Sequence, residues 1–480
     1  MNKSILAVGG SLFLCVLVVY SCGGSMTNPV RPGASMLSVT VTDTPPMGVT
    51  VLSFEVSVTG ATLNPGGVDL LAGRGPVRIE VEELETESAF LNTAGVNPGT
   101  YTSLNLTFAN PELTFKNGAI MTLAGCAPGA VCQIKPTGTL TSVVNFPSPG
   151  LVVHGTTGTS GQNSQGDDNE QTAMGIKLDL DVNTIVSAAM GVDFSQAGAV
   201  TVKQLAREAE GEFDDVNGLE GAVQNVNSTN MTFTLHTTNG DFSITTNGNT
   251  QFDFDNCSAD NFSCLQNNVV VDVDVLMMPG GIFLAKEISF EDNAEDDELE
   301  GVVFKIDDAM HFEMVVLDEL RSVNNINVGN PVVVTLSNPS FQVSVEDLNP
   351  PSTLLTAFQN ATDTSQLSTG QTVEVRLTAP ANPGPPVMVT SDRVRLRMTQ
   401  FTASVSGTPA PPSFMVGNLP SLLTGAGITT IPVHTSSATD FDNIAGVSGL
   451  SNMDTVSVRG LLFNHGANPP LLEAKKVRKR

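Results

Sequence analysis

The chain of 480 residues contains no Trp, two Tyr and five His, and aromatic residues make up 5% of it. Basic residues are also few: 22 Lys and Arg stand against 49 Asp and Glu, a formal charge of −27. Single-stranded nucleic-acid binding needs a basic groove with aromatic rings on which bases stack, and an acidic surface repels phosphate backbones. Nucleic acid is therefore excluded as a partner. Catalytic motifs are missing too. There is no His-Glu-x-x-His, no Gly-x-Ser-x-Gly, no phosphate-binding Gly-Lys-Ser/Thr loop and no EF-hand loop. His154, His236, His311, His434 and His465 are scattered along the chain and read as solvated or capping residues. No catalytic residue, metal site or cofactor is expected. Scarce Lys, Arg and Glu also leave little material for long helices. Gly (44), Pro (28), Val, Thr and Asn dominate instead. β-branched residues suit a pleated surface, while Gly, Asn and Pro supply turn dihedrals, so the fold class expected is all-β.

One apolar run stands out, residues 5–20, preceded by Lys3 and followed by Ser21-Cys22. A positive start, an apolar core and a small residue before the cut make a secretory signal. With Val19 three residues before Cys22 and Ser21 directly before it, the segment resembles a bacterial lipoprotein signal; Tyr20 is the less usual element. The resemblance implies cleavage before Cys22, lipidation of its thiol and acylation of its new amino group, with residues 1–21 as signal peptide and 22–34 as tether. Several acyl chains hold a protein durably where one does not. The rival reading, an uncleaved span, needs about 20 apolar residues, and this run is shorter and broken by Gly9, Gly10 and Ser11. The expected location is the cell envelope, outer membrane or surface, with the membrane contacted through the lipid.

Cys15 lies in the signal, which leaves four cysteines in the body as two close pairs: Cys126 with Cys132 and Cys257 with Cys264. In an oxidising compartment these read as two local disulfides. Thiolate metal binding is the rival, but neither spacing matches the short gaps of zinc sites and no His is close. Pro128-Gly129 helps turn the first loop.

Over residues 35–210, alternating runs such as Leu37, Val39, Val41 and Phe54, Val56, Val58 are separated by turn residues, which indicates a β-sandwich. Tyr101 follows Pro98-Gly99-Thr100 and is expected to pack its ring at the core edge with its hydroxyl bonded near a strand start. Asp43 before Thr44-Pro45-Pro46 reads as a turn cap. Leu37 to Pro45 as a run, Gly99-Thr100-Tyr101 with Leu104, and Lys177-Leu178-Asp179-Leu180 together resemble domain of unknown function 4382. That family implies an envelope location and a sandwich, and no reaction. Residues 155–171 are polar and aperiodic and read as a loop.

From residue 217 onward one set of landmarks comes three times in the same order. The first pass holds Leu219-Glu220-Gly221, Phe233, Thr250-Gln251-Phe252, Val271-Asp272-Val273 and Lys286-Glu287-Ile288. The second holds Leu299-Glu300-Gly301, Phe312, Thr356-Ala357-Phe358, Val373-Glu374-Val375 and Asp392-Arg393-Val394. The third holds Phe401-Thr402-Ala403, Phe414, Thr439-Asp440-Phe441, Val456-Ser457-Val458 and Lys475-Lys476-Val477. Five strands with a break between the third and fourth suit a small OB-like barrel. The expected units are residues 217–290, 298–397 (with 324–351 as an insertion) and 400–480. On these landmarks the region resembles domain of unknown function 5666. Phe252, Phe358 and Phe441 should then be equivalent inward residues of barrels that share little core.

Two charge runs complete the inventory. Residues 291–300 carry seven acids and read as a solvated linker, with weak Ca²⁺ binding as the sharper alternative. The basic end, Lys475, Lys476, Arg478, Lys479 and Arg480, reads as an exposed edge or a contact for anionic lipid or polysaccharide. The functional expectation is a lipid-anchored, non-catalytic envelope protein, a binding or structural module for an envelope protein or polysaccharide. The alternative is an enzyme or enzyme accessory acting on glycans through paired carboxylates.

Overall fold

The computed structural model describes residues 34–44, 50–154, 173–205, 211–254, 257, 259, 261–293, 297–319, 326–345, 348–382, 384, 386–466 and 469–480. Cys22, the signal, the tether up to residue 33 and the polar stretch 155–171 lie outside the described residues. Among the described residues no helix is long and apolar enough to cross a membrane.

The N-terminal part is two facing sheets. Ser35–Thr44 lies inside the first, parallel to Ala173–Asp181 and antiparallel to Ala89–Val96, with Val200–Leu205 at the edge. The second is built on the long antiparallel pair Thr50–Asn64 and Ser103–Lys116. Alternation decides what faces inward: Leu37, Val39, Val41, Phe54, Val56 and Val58 are all at most 1% exposed. Phe194 stacks on Phe108 with ring centroids 4.0 Å apart. Tyr101 packs its ring into this core, and its hydroxyl donates to the Asn97 carbonyl at 2.8 Å.

The C-terminal part holds three barrels of one plan. In each, the pairings run first–second–third–fifth–fourth strand and back to the first, with the third parallel to the fifth. The middle barrel uses Glu298–Asp308, His311–Glu319, Pro331–Val343, Thr372–Leu377 and Val387–Leu396. The first uses Asp214–Asn227, Thr232–Thr237, Gly240–Thr245, Val269–Met278 and Ile282–Asn293. The third uses Met398–Ala410, Ser413–Gly417, Ile431–His434, Thr455–Phe463 and Leu471–Lys479. Gly221 and Gly301 sit where the first strand is crossed closely by the second. A Cβ there would lie 2.5 Å from the His236 carbonyl oxygen and 2.3 Å from that of Val315.

The Thr-x-Phe landmark is not a barrel strand. Gln251–Asp253 and Asp440–Asp442 are short sixth strands laid parallel on the fifth. Thr250 and Thr439 pin them by donating to the carbonyls of Ala285 and Ala474 at 2.8 and 2.7 Å. Thr356-Ala357-Phe358 lies instead in the helix Ser352–Gln359. There Leu354 and Phe358, four residues apart on one face, plug the middle barrel, and Phe358 meets Phe341 edge to face at 5.4 Å. Phe358 is fully buried whereas Phe252 and Phe441 are only partly so, and the three are not equivalent. The stretch 324–351 is no insertion, because it carries the barrel's third strand, Pro331–Val343.

Cys126 joins Cys132 and Cys257 joins Cys264. The first bridge closes the hairpin ahead of Val131–Ile134, and the second fixes the turn Phe262–Cys264. The barrels also share core, against the expectation from their linear spacing. Leu461 and Phe463, from the fourth strand of the third barrel, belong to the hydrophobic cluster of the middle one.

Candidate functional site

Polar side chains, many of them charged, alternate with core residues along the first, fourth and fifth barrel strands, so each barrel presents a polar outer face. In a free barrel that face would be wet. Here the faces turn toward one another and toward one segment of the sandwich, residues 80–87, which carries Glu80, Glu82, Glu83, Glu85 and Glu87. Val81 and Leu84 of that segment are buried in a short 3₁₀ turn, which aims the glutamates between the units.

The junction is held by ion pairs between units. Arg397 donates from Nε to Glu300 at 2.8 Å and reaches Asp272 of the first barrel at 3.5 Å, with Glu220 and Glu374 at 3.9 and 3.8 Å. Arg459 meets Glu87 at 2.9 Å, and Lys475 meets Glu287 at 2.9 Å. Arg478 pairs with Asp442 of its own unit at 2.6 Å and crosses to the sandwich by donating to the Thr42 hydroxyl at 3.1 Å. Arg480 donates to the carbonyl of Asp43 at 2.7 Å. The basic end is therefore not an exposed edge: Lys475, Lys476 and Arg478 are at most 9% exposed and spend their charge inside the molecule. The run 291–300 is likewise not wholly a linker. Glu298 and Glu300 belong to the first strand of the middle barrel, and Glu298 is buried against Arg393. Glu295 and Asp296 lie outside the described residues.

Between sandwich and barrels a cleft of about 230 Å³ remains, walled by Glu83, Glu87, Ser88, Glu300, Asp318, Arg397 and Arg459 among others. Its electrostatics are those of crowded acids. Burial raises the Glu80 carboxyl to about 7, partly offset by the hydrogen bonds it accepts from the Phe54 amide and the Ser53 hydroxyl. Burial likewise raises Glu85 to about 7, with the Arg480 charge and the Thr402 hydroxyl opposing. Glu83 is pushed well above the usual carboxylate range by burial and by Asp318, Glu300, Glu80 and Glu87. Asp43, read from sequence as a turn cap, is fully buried and raised well above its ordinary value by burial, Glu82 and Glu85.

A carboxyl whose pKa is raised on folding favours the fold below its unfolded value, and that contribution is lost as pH rises through the folded one. Glu80 and Glu85 place this window between their ordinary 4.5 and about 7. The protein is therefore expected to resist urea better at pH 5 than at pH 8, with Glu80→Gln plus Glu85→Gln flattening the dependence. Equal urea midpoints at the two pH values would contradict this.

The His residues do not converge: His236 pairs with Asp241, His311 with Asp308 and His434 with Glu473. Among the described residues no group of three His, Cys, Asp or Glu side chains is placed to hold a metal ion. Nor is any described Phe or Tyr exposed, so the barrel faces offer no stacking platform for bases or sugars. The sequence reading passed over residues 80–87. The available signal was five glutamates in eight positions with two apolar residues among them, a pattern that cannot be simply solvated.

No curated protein matches the chain. Residues 220–289, the first barrel almost strand for strand, match the family described as Domain of unknown function (DUF5666).

Proposed function

We propose that the chain is a lipid-anchored envelope protein that acts as a non-catalytic binding or structural module. The observation that carries this reading is the central cleft, whose walls come from the sandwich and from all three barrels, so that the chain builds one site from parts far apart in sequence. Most acids of that site are engaged by Arg397, Arg459 or main-chain donors, which suits a fixed recognition surface better than a proton shuttle. The apolar run with Val19, Ser21 and Cys22 supports the anchor, and the sandwich's likeness to domain of unknown function 4382 supports an envelope location.

The test is a pull-down of envelope proteins and polysaccharides with the full chain, combined with membrane fractionation of Cys22→Ser. The expected outcome is a specific envelope partner and release of the variant from membranes without fatty-acid labelling. A variant that stays membrane-bound and labelled would refute the anchor. A second reading, an enzyme acting on envelope glycans, is favoured by one observation, the crowding of Glu83 with Asp318 and Glu300 in the cleft. Glycoside hydrolysis needs two carboxyls roughly 5–10 Å apart, and release of reducing sugar from envelope polysaccharide would decide for it.

A further inference from the structure

We infer that the edge strand Thr141–Asn145 of the sandwich is a self-association surface, on which a second copy of this chain lays its own Thr141–Asn145 antiparallel about a two-fold axis at Val143. Such pairing is independent of the binding-module reading and of the lipid anchor.

Thr141–Asn145 ends the second sheet of the sandwich and, among the described residues, pairs on one side only, with Ser103–Lys116. Two bonds fix which of its main-chain groups are spent there. The Phe108 amide donates to the Leu140 carbonyl at 2.8 Å, and the Phe146 amide to the Thr102 carbonyl at 2.9 Å. In an antiparallel pair the hydrogen-bonded residues alternate along the strand. Leu140, Ser142, Val144 and Phe146 therefore face the neighbour, while Thr141, Val143 and Asn145 turn their N–H and C=O groups outward. The pairing runs without a register shift, so no bulge interrupts this outward row. The side chains of the row are exposed, Val143 at 61%.

Sheet edges are ordinarily blunted by Lys, Pro, a bulge, extreme shortness or a covering element. The sandwich's other edges follow that rule. Val200–Leu205 carries the exposed Lys203, and Val68–Asp69 is two residues long. Val77–Glu80 is capped by Asn239 of the first barrel, whose side-chain oxygen accepts from the Arg78 amide at 3.1 Å. On Ala89–Val96, Phe90 meets Phe283 of the first barrel edge to face at 4.7 Å. Val131–Ile134 lies in line with Thr141–Asn145, on the same side of Ser103–Lys116, and is covered by the middle barrel: Gln133 donates to the Val328 carbonyl at 3.1 Å. Thr141–Asn145 has no charged residue, no Pro and no bulge.

The outward row is complementary to itself. With Val143 opposite Val143 of a second copy, Thr141 falls opposite Asn145 and Asn145 opposite Thr141, and each such pair exchanges two main-chain bonds. The side chains agree with this register. A β-branched pair meets at the axis, flanked by Thr–Asn pairs that hydrogen-bond, and no like charges are opposed. That neutrality matters in a chain of formal charge −27, where most other surfaces would set acid against acid. Little apolar area is covered, so the contact belongs with weak, reversible interfaces and not with obligate ones.

The test is disulfide trapping in the full chain, whose Cys126, Cys132, Cys257 and Cys264 are already paired. Val143→Cys should give a dimer band on non-reducing electrophoresis beyond that of the unaltered chain. Hydrogen-bonded antiparallel residues hold their Cα atoms about 5.5 Å apart, within disulfide reach. Thr141→Cys alone should not, because residue 141 of one copy and 141 of the other are about 14 Å apart along the strand. Mixing Thr141→Cys with Asn145→Cys should bring the band back. Sedimentation velocity supplies the reversible counterpart. The unaltered chain should shift toward dimer as concentration rises, while Val143→Lys, with two ammonium groups opposed at the axis, stays monomeric at an unchanged urea midpoint. Equal trapping of Thr141→Cys and Val143→Cys would mean random collision and would overturn the inference. So would the absence of either expected band, or a Val143→Lys chain that still dimerises. Val143→Cys trapped on a different protein, with no homodimer, would likewise overturn the second copy and give this edge to a partner's strand.

Discussion

Arg393→Ala is expected to destabilise the protein by ~3–5 kcal/mol, the usual cost of breaking a buried ion pair from one side. Arg393 is 5% exposed and lies on the fifth strand of the middle barrel, between Glu298 of the first strand and Glu374 of the fourth. Glu298 and Glu374 are 1% and 3% exposed. Removing the guanidinium leaves Glu298 with a buried charge and no neutralising partner, while Glu374 keeps Arg395 at 3.1 Å. Much of the loss is therefore the burial penalty on Glu298 rather than the worth of the pair itself. It follows that Arg393→Met combined with Glu298→Gln should recover most of the stability, since the charge and its counter-charge leave together. Urea unfolding of the three proteins at neutral pH checks this. A loss under ~1 kcal/mol for Arg393→Ala, the scale of an exposed pair, would contradict the burial of this network.

Phe463→Ala should cost a similar ~3–5 kcal/mol, as large-to-small changes at buried Phe do. Its location makes it more informative than an ordinary core residue. Phe463 is 1% exposed and ends the fourth strand of the third barrel, yet it packs into the cluster of the middle barrel with Leu461. The cavity thus opens in a neighbour's core. Gln371 reinforces the same seam from the other side, donating to the Leu462 carbonyl at 2.7 Å.

How much of this was readable beforehand depends on the range of the interaction concerned. Period-two alternation, turn residues and the two close cysteine pairs are local signals. They led to the all-β class, the barrel series and the joined pairs Cys126–Cys132 and Cys257–Cys264. Tyr101 was legible because its bonding partner, Asn97, lies four residues away. The Thr-x-Phe landmark misled because alternation cannot distinguish a barrel strand from a short strand added outside one. It also cannot tell a three-residue match from the helical spacing of Leu354 and Phe358. Buried charge was the larger omission. Lys475 to Lys479 hold four basic residues around the lone Val477, which reads as an exposed strand, and only the approach of Glu287 from another barrel, 188 residues away, makes Lys475 interior. Corresponding strand positions hold Glu287 in the first barrel, Arg393 in the middle and Lys476 in the third. That change of sign among repeats was visible, but its meaning required knowing that the barrels face one another.

That the repeats close into one body around a charged centre is tested most directly by hydrogen exchange on Phe463→Ala. With the shared core described here, protection should fall in the fourth strand of the third barrel and, equally, in the strands of the middle barrel that surround Phe463. Val373, Val375 and the helix Ser352–Gln359 belong to that same cluster and should be affected with them. Loss confined to residues beyond 398, with the middle barrel as protected as before, would mean separable modules and would contradict the single body.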